Sequence, residues 1–235
     1  QVIADINGMG YGLTFGLHTR IDSRVQTVCE KIKAGNMYVN RNQIGAIVGS
    51  QPFGGEGQSG TGPKAGGPLY LTRMIKGAAV EQAQGWTHVA DAKAVQNQID
   101  QIRTETSIDP LNVEYMPGPT GEANTMSTHQ RDPILCLGPS KTAMQAQIAS
   151  VQALGGLAVG VEGMLTSDDL IQLTGFAGVL YWGADARPIA QALAHRKGAI
   201  LPVITTQPDL GHVSVERHLC VDTTAAGGNA ALLAG

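Results

Sequence analysis

Apolar and polar positions switch between a helical and a strand period along this chain, and the switches outline its elements. Val2, Ile3 and Ile6 share one face of a helix that Asn7-Gly8 ends. Leu13 to His18 reads as a short strand. Asp22 or Ser23 caps a helix running to about Ala34, with Val25, Val28, Cys29 and Ile32 on one face and Gly35 as its stop. Met37-Tyr38-Val39 predicts a buried strand, and a glycine-punctuated loop follows. The pattern from Leu69 to Met74 predicts a further strand. Asp91 to Glu105 predicts a polar helix with Ala94, Val95, Ile99 and Ile102 as its stripe. Pro110 to Thr128 contains Pro117-Gly118-Pro119-Thr120-Gly121-Glu122 and reads as loop.

The alternation then restarts. Strands are expected at Ile134 to Leu137, Leu157 to Val161, Gly178 to Trp182 and Ala199 to Ile204. Between them, helices are expected at Lys141 to Leu154, opened by Ser140, at Ser167 to Thr174 and at Ala186 to Lys197. Strands separated by helices of this length pair in parallel through right-handed crossovers. Val213 to Val221 predicts one more strand, and Thr223 to Asn229 a turn or extended loop. The class is α/β.

Composition narrows this picture. The chain has 235 residues, 43% apolar and 15% charged, with a formal net charge of -3. No basic footprint for nucleic acid is present. Aromatics at 4% and abundant Ala and Gly favour packed α/β layers over an all-β sandwich. Cys29, Cys136 and Cys220 are odd in number and far apart, which fits a reducing cytoplasm better than a disulfide framework. No apolar run reaches about 18 residues, the length of a membrane span, and no signal peptide opens the chain. It starts at Gln1 inside an apparent helix and ends after an Ala/Leu-rich tail, so it reads as a piece of something longer.

The segment Asn40 to Gly55 carries the chemistry. Small residues at Gly45 and Ala46 leave two successive backbone N–H groups uncovered, a nest suited to a carboxylate, with Phe53 nearby. A simple strand-to-strand turn is an equal reading of the same residues. Gly55-Glu56-Gly57-Gln58-Ser59-Gly60 matches G-x-G-x-x-G, but Thr61-Gly62-Pro63 follows where a dinucleotide site needs a helix. Gly57 to Lys64 fails as a P-loop, since the lysine follows Pro63 and Ala65 replaces the magnesium-binding hydroxyl. The histidines His18, His88, His129, His195, His212 and His218 lack metal-ligand spacing, so no metal site is expected. The cysteines sit in apolar surroundings and read as small hydrophobes rather than nucleophiles. Asp168-Asp169 reads as a helix N-terminal cap.

At Tyr11-Gly12-Leu13, His18-Thr19-Arg20, Ala34 to Asn40, Pro52-Phe53-Gly54-Gly55, Ser59-Gly60 and Gly62, the chain resembles the C-terminal part of NAD-dependent aldehyde dehydrogenases, over roughly residues 1 to 75. Ile44 to Gly55, Ser59-Gly60-Thr61 and Gly66 to Leu71 resemble the L-glutamate γ-semialdehyde (1-pyrroline-5-carboxylate) dehydrogenase branch. Pro117 to Asn124 and the terminal Thr223 to Ala230 resemble the C-terminal region of long PutA proteins, the bifunctional proline-catabolic flavoenzymes.

The resemblance implies three segments. Residues 1–76 would be the C-terminal part of the catalytic domain, 77–129 a flap and linker, and 130–235 a degenerate, non-catalytic aldehyde-dehydrogenase-like parallel α/β domain. Gly45 and Ala46 would donate backbone N–H bonds to the substrate α-carboxylate, Phe53 would pack on its aliphatic chain, and Ser59 and Gly60 would shape the wall. Leu69 to Met74 would lead into the subunit-joining flap. Thr223, Thr224, Gly227, Gly228 and Asn229 would belong to a peptide covering the site. The family's nucleophilic cysteine, general-base glutamate and Rossmann domain would lie before Gln1, so this chain alone is expected to be inactive. NAD and FAD are implied for a cytoplasmic parent that is a homo-oligomer, able to associate peripherally with a membrane, and that acts on L-glutamate γ-semialdehyde. A purely structural role for the second half, in assembly or in sealing a channel, is the alternative, and an independent small-molecule binding protein a third.

Overall fold

A computed structural model describes residues 1–44, 46–77, 80, 85–107 and 109–224 of the chain. The elements in chain order are α1 (Val2–Gly8), β1 (Tyr11–Gly12), β2 (Thr14–Leu17), α2 (Asp22–Lys31), β3 (Asn36–Val39) and β4 (Glu56–Gly57). Then come α3 (Ala92–Arg103), β5 (Asn112–Met116), β6 (Glu122–Gln130), β7 (Ile134–Cys136) and α4 (Lys141–Ala153). The rest are β8 (Ala158–Gly160), α5 (Ser167–Gln172), β9 (Gly178–Leu180), α6 (Arg187–Ala194), β10 (Val203–Ile204), α7 (Leu210–Val213) and β11 (Ser214–Asp222).

Two compact units share these elements. One comprises Gln1–Leu71, Asp109–His129 and Val215–Gly235, the other Thr72–Ile108 and Gln130–Ser214. The expected segments 77–129 and 130–235 do not follow this division. Strands β5, β6 and β11 form one sheet with β2 and β3. Helix α3, expected in a linker, buries Val95 and Ile99 in the core of the second unit.

In the first unit the strand order is β2-β3-β11-β6-β5. β3 is an interior strand, wholly buried, and pairs in parallel with both β2 and β11. Ile32, Ala34 and Met37 form a small core with Ile3, Ile6, Phe15, Val28, Cys29 and Leu219. Helix α2 ends at Lys31, short of the expected Ala34, because Asn7 takes over its last groups. Asn7 Nδ2 donates to the Lys31 carbonyl at 2.8 Å, and Asn7 Oδ1 accepts the Lys33 N–H at 2.9 Å. Gly35 is therefore no helix stop.

Two further expectations change. Leu69 to Met74 is not a strand; Tyr70–Met74 is a 3-10 helix with Leu71 and Met74 exposed. Its Tyr70 N–H bonds locally to Gly67, and apolar content alone does not pair a segment without a neighbouring edge. The presumed loop Pro110 to Thr128 is a hairpin, with Asn112↔Thr128 through Met116↔Asn124 in antiparallel register. Its turn residues were legible, but its Asn- and Glu-containing strands hide the β-forming Val113, Tyr115, Thr125 and Met126.

The second unit has four parallel strands in the order β10-β9-β7-β8. Period-2 alternation explains its two cores. Leu135 and Leu137 point into a cluster with Val95, Leu170 and Leu193, whereas Ile134 and Cys136 join Ala143, Met144 and Val151 of α4. Asp91 and Ser140 accept N-terminal amides of α3 and α4, and Thr166 with Asp169 forms a capping box on α5, whereas the N-cap of α2 is Ile21 with no side-chain cap bond, not the expected Asp22 or Ser23. Thr166 is thus the cap expected at Asp168-Asp169, with Asp169 its reciprocal partner. Among the described residues no helix is long and apolar enough to cross a membrane.

Strand order reverses at β7, where an open α/β sheet would bind a ligand. Here that position is closed by the protein itself. Buried Gln147 accepts the Gly138 N–H at 2.9 Å and donates to the Gly138 carbonyl at 2.7 Å, and Trp86 Nε1 donates to the Leu137 carbonyl at 2.8 Å. Gln147→Leu should lower unfolding stability by about 1–3 kcal/mol, the cost of stranding the Gly138 N–H. Urea titration followed by tryptophan fluorescence would check this.

Candidate functional site

The site is built where β3 ends. Asn40 takes a left-handed φ of 59°, which asparagine tolerates, and its Oδ1 accepts the Thr19 N–H at 2.9 Å. The chain thereby turns off the sheet into the Arg41–Gln51 loop. Arg41 forms an ion pair with Glu122, and its guanidinium lies 5.3 Å from the centre of the Tyr38 ring. Gly45 lies outside the described residues. Ala46 is half-buried, while Ile44 and Val48 expose their apolar side chains. The loop closes on the Ile47 carbonyl, which accepts from Ser50 N at 3.2 Å and Gln51 N at 2.8 Å.

The Pro52–Gly60 segment is held just as tightly. Phe53 is half-buried, and its backbone exchanges hydrogen bonds of 2.9 and 2.8 Å with Ala65. Ser59 Oγ accepts the Gly12 N–H at 3.2 Å, and Gly60 has a φ of 150°. A methyl group on Gly55 would meet Ser59 Cβ at 2.6 Å, so glycine is required for that approach. Glu56–Gly57 pairs antiparallel with Tyr11–Gly12, and no helix opens after Gly60. The G-x-G-x-x-G match is therefore a strand-and-turn element, not a dinucleotide cradle. Among the described residues, neither this element nor the filled switch point offers a dinucleotide cradle.

Beneath the loop lies a polar layer that sequence reasoning missed. Asn36, Lys64, Glu216, His218 and Gln51 are all buried. His218 Nε2 donates to the Ser50 carbonyl at 3.2 Å, since a carbonyl only accepts. Gln51 Nε2 donates to Glu122 at 3.2 Å, and Arg217 pairs bidentately with Glu56 at 2.8 and 3.1 Å. Burial pushes the Lys64 amine down to about 7, with the Glu216 and Glu56 carboxylates opposing. Burial likewise pushes His218 down to about 4, reinforced by Lys64. The sequence signal was available in part: buried positions alternate along β11 at Ser214, Glu216, His218 and Cys220. Their polarity disguised an inward face.

Burial raises the thiols of Cys29, Cys136 and Cys220 to about 11, 12 and 11, so none is poised as a thiolate. Among the described residues no group of three His, Cys, Asp or Glu is arranged for a metal. Of the expected lid, Thr223 is buried and its N–H donates to the Gly121 carbonyl at 2.8 Å. Thr224 folds back on Asp222, through its N–H at 2.8 Å and its hydroxyl at 2.6 Å. Gly227, Gly228 and Asn229 lie outside the described residues.

Comparison with known proteins sets this geometry in context. Residues 1–80 match the aldehyde dehydrogenase family. The chain is 38% identical to the bifunctional protein PutA of Rhizobium meliloti, over 100% of its own length and 22% of that protein. It is 44% identical over 77 residues to the 1-pyrroline-5-carboxylate dehydrogenase of Bacillus subtilis, covering 33% of this chain and 15% of that one. The solved structure of Proline Utilization A (PutA) from Corynebacterium freiburgense has a TM-score of 0.60, at 21% identity, over 95% of this chain and 24% of that chain. That likeness concerns the fold alone. The chain spans about a fifth of the length of the curated PutA relative it matches (22%).

Proposed function

We propose that this chain, which carries an aldehyde dehydrogenase segment in its first 80 residues and is similar over its whole length to bifunctional PutA proteins, forms the substrate-holding part of a longer proline-catabolic enzyme. The parent would oxidise L-proline to 1-pyrroline-5-carboxylate and L-glutamate γ-semialdehyde to L-glutamate. One observation carries the reading: residues 1–80, which match the aldehyde dehydrogenase family, include a loop fixed at both ends, by Asn40 and by the Ile47–Gln51 turn.

The loop's task is orientation. Backbone N–H groups of Gly45 and Ala46 would bind the substrate carboxylate, Phe53 would pack on the aliphatic chain, and Ser59 and Gly60 would form the wall. A fixed loop places the aldehyde in attack geometry without lending a bond-making atom. NAD and FAD would supply hydride and electron transfer, held by parts of the parent outside this chain. The second unit would be a closing, non-catalytic domain of a cytoplasmic homo-oligomer, and Thr223, Thr224, Gly227, Gly228 and Asn229, at the end of the chain, would form the lid.

Gly45→Val in the long enzyme should raise KM for glutamate semialdehyde roughly tenfold or more while leaving kcat less affected, because a branched side chain obstructs the amide donors. Steady-state kinetics with NAD would test this. An unchanged KM rejects the loop as the carboxylate site.

A further inference from the structure

One buried amine governs the turn that carries Phe53. Lys64 is only 2% exposed. Its Nζ donates to Asn36 Oδ1 at 2.8 Å and to the Gly54 carbonyl. Its own backbone N–H donates to Glu216 at 2.8 Å. Asn36 continues the chain of bonds: its Nδ2 donates to the Pro52 carbonyl at 2.9 Å, and its Oδ1 accepts the Gly54 N–H at 3.2 Å. The backbone groups on either side of Phe53 are thus fixed by one lysine–asparagine pair. Phe53's own N–H and carbonyl are bound by Ala65, the residue after Lys64.

A buried lysine is a costly way to fill space. A methionine of similar volume would avoid the desolvation of an amine. What the amine adds is direction. Two donors aimed at two acceptors define where the turn sits against β3, which packing of a flexible apolar chain does not do. β3 is the most buried strand of its sheet, so the turn is referenced to a strand with no exposed residue.

We propose that Lys64 is a positioning residue for substrate binding, acting through Asn36 and Gly54 to set the place of Phe53. The proposal rests on the functional reading above, in which Phe53 packs on the substrate's aliphatic chain. It adds a residue that touches no substrate and predicts how its loss is felt.

The experiment compares Lys64→Met, Lys64→Gln, Phe53→Ala and the Lys64→Met/Phe53→Ala double variant in the long enzyme, with L-glutamate γ-semialdehyde and NAD. Lys64→Met is expected to raise KM for the aldehyde roughly tenfold, with kcat and KM for NAD within about twofold. Lys64→Gln keeps an N–H donor group on a shorter side chain and should fall between. In the Phe53→Ala background Lys64→Met should add less than about twofold, because the two act through one element. A KM unchanged in folded Lys64→Met, equal losses in kcat and both KM values, or additive effects in the double variant would each overturn the proposal. If Lys64→Met does not fold, Lys64→Gln decides by the same criteria. A wild-type enzyme that does not oxidise the aldehyde would instead bring down the functional reading, and this proposal with it.

Discussion

Gly35→Ala is expected to cost the first unit at least about 3 kcal/mol, at the upper end of overpacking penalties. A methyl group there would lie 1.8 Å from the Gly54 carbonyl oxygen and 2.8 Å from Lys64 Nζ. Neither side can retreat. Gly35 N donates to the Gly12 carbonyl at 2.9 Å and its carbonyl accepts the His218 N–H at 2.8 Å, which pins it between neighbours. Gly54 is pinned by Asn36 and Lys64. The clash must therefore break backbone pairing or the amine's bonds. Hydrogen exchange at the amides of β3 and β11, compared with wild type, would report the loss locally. Gly8→Ala is the control: its methyl group would meet nothing within 4 Å, and it should be neutral or slightly stabilising. Wild-type protection of β3 in Gly35→Ala would contradict the packing described here.

Acid should weaken the same unit through His218. Its imidazole is fully buried, faces Lys64 and Arg41, and is held neutral, with burial the main cause. The folded value is about 4 against 6.5 in an exposed histidine. Between those values the unfolded chain binds the extra proton and the folded one does not, so the contribution of His218 to stability falls as pH drops from 6.5 to 4 and levels off below. A depression from 6.5 to about 4 amounts to a contribution on the order of 3 kcal/mol. His218→Gln should lose some stability at pH 7, yet show a shallower decline between pH 6.5 and 4.5. Urea midpoints across that range measure the slope. A variant slope equal to wild type would remove His218 from the account. His212, in the second unit, is also pushed to about 4 by burial and Arg73, and would leave a residual slope there.

How much of this was legible in the sequence depends on where the determining contacts lie along the chain. The second unit read well because its signals are local: Ser140 opening α4, apolar runs at Ile134 and Gly178, and helix stripes between them. The glycine loop was also visible from residue type and resemblance, while its carboxylate role is a proposal. The hairpin of β5 and β6 was not, since its strands alternate polar residues with few apolar ones. The 3-10 turn at Tyr70–Met74 was mistaken for a strand because composition does not say whether an edge is free to pair. Gly35 looked like a helix stop, whereas its smallness answers a residue 19 positions away, Gly54.

By itself the sequence determined the α/β class, the caps of α3 and α4 at Asp91 and Ser140, and a family likeness over roughly residues 1 to 75, which the family match over residues 1–80 bears out. Each follows from neighbours within a few positions or from a motif kept in order. Only the tertiary structure decided that β11, from the far end of the chain, pairs with β3, placing Glu216 and His218 beneath a loop more than 150 residues earlier. The reason is physical. A polar residue's role depends on whether burial finds it a partner, and for Lys64 those partners are Asn36, Gly54 and Glu216, which only folding brings within 3 Å.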